Sequence, residues 1–331
     1  MSSQTTTLPV NNTFVRPQMF YISGLHDMPF ANYFYIFLFI VLILTVFSNV
    51  FLLVLICFAS SLHNPKYIAV SHLALVDLCT SVTVIPKVIE MFLFNSSFIT
   101  YEACLAGMFF VHFFNSMQSL SLVILAYDRL LAICLPLRYH SINTNGRMII
   151  IILSAWMFSA VTFSIMVLLI TRLNFCGSIV INSYFCDHGP VFRLACNDSS
   201  PNIIMGFTNI ALFLFLPLVF ILFTYLAIGL ALLKIATAEG RQKALKTCTS
   251  HILLVALFYT PLAVTYSATY VVSFHPNARI LNNSLSATIP PLLNPIIYTL
   301  KTEEVTESMK KLFKTKQDKN GKIRNSKILA K

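Results

Sequence analysis

Long apolar runs separated by short polar stretches make up most of the chain, and seven of the runs approach or exceed the roughly 20 residues a helix needs to cross a bilayer. They lie near residues 33–59, 67–93, 104–133, 148–171, 203–233, 250–273 and 284–300. The last is the shortest and carries Pro290 and Pro291, so hydropathy supports it least. The pattern predicts an all-α membrane protein, a seven-transmembrane helix bundle. Residues 1–32 form an extracellular N-terminal segment, 33–300 the bundle, and 301–331 a cytoplasmic basic tail with a short amphipathic surface helix. No repeat of fixed period and no low-complexity tract divides the chain. The opening segment MSSQTTTLPVNNTFVRPQ lacks the apolar stretch of a cleavable signal peptide, so the first span is expected to start translocation itself.

Composition strengthens the membrane reading. Of 331 residues 57% are hydrophobic and 11% charged, and the mean hydropathy is +0.77. A soluble domain carries about a quarter charged residues, so too few remain here to cover a water-facing surface. The charges that do occur are unevenly placed: 18 of the 23 Lys and Arg fall on the side that holds the C-terminal tail. By the positive-inside rule the tail is cytoplasmic and the N-terminus outside, in a multi-pass plasma-membrane protein. The N-x-Ser/Thr acceptors at Asn11, Asn95, Asn197 and Asn282 all fall on the outer side by this count, as glycosylation in the lumen requires. The lysine run Lys310, Lys311, Lys314 and Lys316, just after a span, fits anionic membrane lipid rather than nucleic acid.

Eight cysteines divide equally between the two sides. Cys57, Cys79, Cys134 and Cys248 lie in or near the inner halves of spans and read as packing residues, while Cys104, Cys176, Cys186 and Cys196 lie outside, where disulfides persist. Four cysteines allow three pairings, and the residues alone do not choose among them.

Polar groups inside an apolar span are costly and mark functional candidates. Asp77 sits in the middle of the second span, with Asn49 on the first and Asn294 on the seventh as available partners; mere helix-to-helix glue is the plainer alternative. Asp128 and Arg129 are adjacent charges at the cytoplasmic edge, an arrangement in which the carboxylate holds the guanidinium at rest and releases it on activation. In the outer half of the third span His112, Asn115, Ser116 and Ser119 recur at i, i+3, i+4 and i+7 and share a face, which turns either to a ligand cavity or to neighbouring helices. Tyr259, Tyr266 and Tyr270 on the sixth span, with Asn209 and Phe213 on the fifth, are candidates for the opposite wall. Pro217 and Pro295 lack an amide hydrogen and weaken their helices locally. No HExxH, G-x-S-x-G, Walker loop or metal-ligand cluster points to an enzyme, and no repeated halves point to a transporter, the remaining rival.

Five segments carry a family resemblance: LHNPKYIAVSHLALVDL from Leu62, LAYDRLLAICLPLRYH from Leu125, CDHGPVFRLAC from Cys186, KALKTCTSH from Lys243 and PPLLNPIIY from Pro290. In order and spacing they resemble the odorant receptors of the rhodopsin-like, G-protein-coupled superfamily, over all but roughly the first 20 residues and the distal tail. The segment ACLAGMFFVHFF from Ala103 is similar to the fish-type branch associated with water-soluble odorants. The resemblance implies disulfides Cys104–Cys186 and Cys176–Cys196, a pocket at the positions just named, and a switch joining Asp128 and Arg129 to Tyr225, Asn294, Pro295 and Tyr298. In the wider superfamily the aspartate at Asp77 binds sodium, and odorant receptors commonly add an acid where this chain has Gln118. Leu130 replaces the tyrosine usual after the arginine. The absence of an acid between Glu102 and Asp128, and of a lysine from Asn282 to Leu300, excludes an amine-receptor counter-ion and a retinal Schiff base. The implied function is a non-enzymatic receptor without cofactor, in which a small-molecule odorant activates a heterotrimeric G protein of the stimulatory olfactory type and raises cyclic AMP. A seven-span receptor for another small ligand, or a small-solute transporter, is the alternative.

Overall fold

A computed structural model describes residues 16–25, 31–94, 97–234, 237–271, 276–301 and 304–310, apart from the side chains of 88, 91–94, 243, 247, 266–271, 276 and 300–301. Long helices fall where the apolar runs predict them: α1 (Ala31–Phe58), α2 (Pro65–Phe94), α3 (Tyr101–Cys134), α4 (Asn145–Thr171), α5 (Ser200–Leu233), α6 (Ala238–Val271) and α7 (Pro276–Lys301). Among the described residues the first six are long and apolar enough to cross a membrane by length and composition alone. The seventh contains Pro290, Pro291 and Pro295 together with several Asn, Ser and Thr, and completes the bundle by packing on α1, α2 and α6.

Helix ends follow local chemistry. Pro65 opens α2, where its missing amide hydrogen costs nothing. Thr100 and Thr144 cap α3 and α4, each accepting a backbone N–H at 3.3 Å, from Ala103 and Arg147 respectively. Two helices extend well past the apolar runs: α6 begins at Ala238 rather than 250, and α7 at Pro276 rather than 284. Hydropathy registers the part of a helix that suits lipid, whereas a polar stretch such as AEGRQKALKTCTS continues the same helix into water.

α3 is the central post, packed against α2, α4, α5 and α6. Its Met108, Met117 and Leu125 are fully buried, whereas Phe47 of α1, Met157 of α4 and Phe223 of α5 stand about two-thirds exposed on the outside. Exposed apolar side chains on this scale suit a hydrocarbon surround. In α5 the helix widens to a π-helical segment at Ala211–Phe215 immediately before Pro217. Proline offers no N–H to the carbonyl four residues back, and the looser winding accommodates that loss.

The N-terminal segment does more than the apolar pattern implied. Met19–Ile22 (β1) is the middle strand of a small sheet, antiparallel to Phe98–Thr100 (β2) and parallel to Val180–Ile181 (β3) in the loop between α4 and α5. Phe20 and Ile22 are completely buried, and the Phe20 ring lies 5.3 Å from Phe175 and 6.1 Å from Tyr101. Gly24 then turns the chain with φ 57°, a conformation that favours glycine. Four-residue strands lie below the length a search for spans detects.

Both disulfides implied by the resemblance are formed: Cys104–Cys186 ties the start of α3 to the α4–α5 loop, and Cys176–Cys196 closes that loop on itself. Sheet and disulfides make a lid over one end of the bundle. At the other end residues 304–310 form a short helix docked on the start of α2. Val305 is fully buried, Ser308 Oγ lies 3.3 Å from Ser61 Oγ, and Glu304 accepts hydrogen bonds from Tyr67 and, at 2.9 Å, from Lys66. Burial works against the Glu304 charge, but the bonds from Tyr67 and Lys66 outweigh it and hold the carboxyl below the ordinary glutamate range.

If the strand clamps the lid, Phe20→Ala removes a fully buried ring and costs about 3–5 kcal/mol in thermal unfolding of the purified protein. Phe98→Ala, at a half-exposed position of the same sheet, leaves the midpoint nearly unchanged, and equal losses in the two variants would show that the sheet does not act through its buried face.

Candidate functional site

Beneath the lid lies a cavity of about 760 Å³, within the size range of small-molecule sites. Five residues singled out from the sequence meet there: His112, Asn115 and Ser116 from α3, and Asn209 and Phe213 from α5. Two others do not line it. Ser119 and Tyr259 instead join α3 to α6 through their hydroxyls, 2.8 Å apart, one helical turn beyond Ser116. The side chains of Tyr266 and Tyr270 lie outside the described residues.

The cavity takes much of its chemistry from a loop read only for its cysteines and from the seventh span. Tyr184, Phe185, Asp187, His188 and Arg193 enter from the α4–α5 loop, and Arg279, Asn283 and Ser286 from α7. For Asp187, His188 and Arg193 a signal exists in the charged cluster CDHGPVFRLAC, held between two cysteines; its fold over the bundle is not visible in spacing. Phe163, Met166, Phe258 and Leu262 complete apolar walls.

Charge is concentrated at the lid. Asp187 Oδ1 lies 3.3 Å from His112 Nε2, and Arg279 donates to the carbonyl of Asn182 at 2.9 Å. Burial disfavours the Asp187 carboxylate, yet the His112 contact and the charges of His112, His188 and Arg279 hold its pKa below the ordinary aspartate value. Burial, and then the neighbouring His112, push His188 down to about 4, so its imidazole is neutral near pH 7. His188 Nε2 and Asn209 Oδ1 are buried without a hydrogen-bond partner, which leaves them open to a polar group on a ligand.

Deeper in the bundle Asp77 is held by two amides: Gln118 Nε2 donates to Oδ1 at 2.9 Å and Asn294 Nδ2 to Oδ2 at 2.8 Å. Asn49 bridges α1 to α7 by donating to the carbonyl of Pro291 at 2.9 Å, the acceptor that Pro295, four residues on, cannot satisfy. His72, not singled out from the sequence, links three helices through Ser121 at 3.1 Å and Trp156 at 2.9 Å.

At the tail end Arg129 Nη1 lies 2.9 Å from Asp128 Oδ2, with both residues buried. The pair has more support than its sequence disclosed. Asp128 Oδ1 also accepts from Tyr139 at 2.7 Å and Asn143 at 2.8 Å, both from the connection to α4. Tyr225 pairs with His251 of α6 at 2.7 Å, and the other ring nitrogen of His251 lies 3.0 Å from the carbonyl of Leu122 on α3. Tyr298 is buried in the hydrophobic cluster that contains Leu122 and against which Tyr225 packs.

Of the four sequons, Asn11 and Asn95 lie outside the described residues. Asn197 is exposed in the lid loop, its Nδ2 donating to the Arg172 carbonyl at 3.1 Å. Asn282 turns its Nδ2 into α6, donating to the Pro261 carbonyl at 2.8 Å and to Thr265 Oγ1 at 2.7 Å.

Comparison with known proteins agrees with this architecture. The crystal structure of squid rhodopsin superposes with a TM-score of 0.68 over 86% of each chain at 19% identity, a likeness of fold. The chain is 36% identical over 276 residues to olfactory receptor 4E2 of Mus musculus, covering 81% of this chain and 86% of that protein. It is 32% identical over 298 residues to olfactory receptor 2AT4 of Homo sapiens, covering 89% and 92%. To olfactory receptor 51E2 of Homo sapiens it is 35% identical over 279 residues, covering 84% and 87%. Residues 36–316 match the family model described as olfactory receptor, and with these relatives the match establishes that the chain belongs to the olfactory receptor family.

Proposed function

We propose that this receptor binds a small organic odorant in the lidded cavity and passes the event along α3 and α6 to the Asp128–Arg129 latch, where a stimulatory G protein that raises cyclic AMP is engaged. Membership of the family makes the chain a multi-pass, non-enzymatic odorant receptor acting through a G protein. The observation that carries the finer reading is a series of α3–α6 contacts between cavity and latch: Ser119 with Tyr259, then Leu122 with His251.

A ligand that fits the cavity better when α6 has moved away from α3 biases the bundle toward that state. Separation of α6 from α3 stretches the His251 contact, frees Tyr225 and opens the cleft beside Arg129. The lid then faces outward and the latch inward, an orientation supported by the excess of Lys and Arg on the tail side. The lysines of the tail suit the anionic inner leaflet, and Asn197 remains a candidate glycan acceptor.

Two measurements in cells expressing the full chain with an olfactory-type G protein test this reading. Tyr139→Phe combined with Asn143→Ala removes two of the bonds to Asp128, and basal cyclic AMP is expected to rise up to roughly tenfold at equal surface amounts. A basal level equal to wild type would mean that these bonds do not hold the resting state. Against a chemically diverse odorant panel, Asn209→Ala and Phe213→Ala are expected to shift the dose of any activating compound, while Arg129→Ala reaches the surface and stays silent. A full response from Arg129→Ala would sink the latch.

A further inference from the structure

Asp77 is the only carboxylate in the middle of any of the seven helices, and in the wider superfamily an aspartate at this place resembles one that holds sodium. The residues of this chain do not fit that ion. Each carboxylate oxygen of Asp77 already faces an amide N–H, that of Gln118 at 2.9 Å and that of Asn294 at 2.8 Å. The orientation of both amides follows from charge, since an amide oxygen turned toward the carboxylate would repel it whereas the N–H attracts it. The partially positive hydrogens therefore stand where a cation would approach, from two sides.

We infer that the side-chain amide of Gln118 serves as a built-in substitute for a sodium ion at Asp77, so that the resting bundle of this receptor is independent of sodium. Two facts support the substitution. The second acid common in the family is replaced by Gln118, so an ion would meet one negative charge instead of two, and its attraction falls in proportion. Asp77 is completely buried, so an ion entering there loses its hydration shell and needs a compensating set of oxygens.

The substitution also ties helices together. With Gln118 on α3 and Asn294 on α7, the Asp77 carboxylate bridges α2 to both by covalently tethered donors, which no change in external salt removes. A receptor that uses sodium for the same purpose tightens or loosens with the ion concentration. This one holds its resting core at any.

The test is thermal unfolding of the full chain, purified in detergent, in sodium chloride and in choline chloride at equal ionic strength of about 0.15 M. Wild type is expected to unfold at the same midpoint in both salts. Gln118→Glu restores the second acid and is expected to unfold several degrees higher in sodium than in choline, because an ion bound only to the folded state stabilises it. A wild-type midpoint raised by sodium overturns the inference, and so does a folded Gln118→Glu that is indifferent to the salt. Should Gln118→Glu fail to fold, Gln118→Ser withdraws the amide that reaches Asp77 Oδ1 and leaves a shorter hydroxyl in its place. Sodium dependence in that variant supports the substitution and indifference overturns it. Because the readout is unfolding, neither outcome depends on an odorant or a G protein.

Discussion

Polar side chains inside a bundle walled by hydrocarbon must find their partners within the protein, because lipid offers none. That constraint organises this receptor at every level. Asp77 is answered from α3 and α7, His72 from α3 and α4, and the Pro291 carbonyl from α1 by Asn49. Each pairing joins different helices, with partners 41 to 242 residues apart, so the polar residues that the membrane penalises most are the ones that set the arrangement of the helices.

The same constraint explains why the bundle has a usable interior. Proline residues free backbone carbonyls, and this chain places them where a neighbour or a local rewinding can compensate, as at Pro295 beside Asn49 and at Pro217 after the π-helical segment. That segment contains Phe213 and directly follows Asn209, which both line the cavity, so the irregularity of α5 lies at the pocket wall. At the lid, by contrast, a three-stranded sheet and two disulfides hold the loop that carries Asp187 and His188 down over the cavity. A pocket thus fixed from above and walled by movable helices below is suited to convert occupancy into helix displacement.

Legibility in the sequence follows the range of the interactions concerned. The apolar runs disclosed the helices because span length is a local property, and the i, i+3, i+4, i+7 stripe brought His112, Asn115 and Ser116 to one face. Ser119 shares that face, but one further turn carries it to Tyr259 on α6 instead of into the cavity, the second of the two orientations the stripe allowed. Asp128 and Arg129 were legible as adjacent charges, whereas the support of Asp128 by Tyr139 and Asn143 depends on how the chain turns back after α3.

What the sequence by itself determined is therefore the solvent, the number and order of the helices, the family, and the polar residues that burial makes expensive. Each of these is written in composition, in runs of fixed length or in contiguous motifs. The tertiary structure alone decided which oxygen of Asp77 meets which amide, that Asn282 turns into α6, that Met19–Ile22 is a central strand, and that the α4–α5 loop supplies the charged ceiling of the pocket. These are pairings between segments tens to hundreds of residues apart. Their geometry is set by how seven helices pack, and no local pattern encodes it.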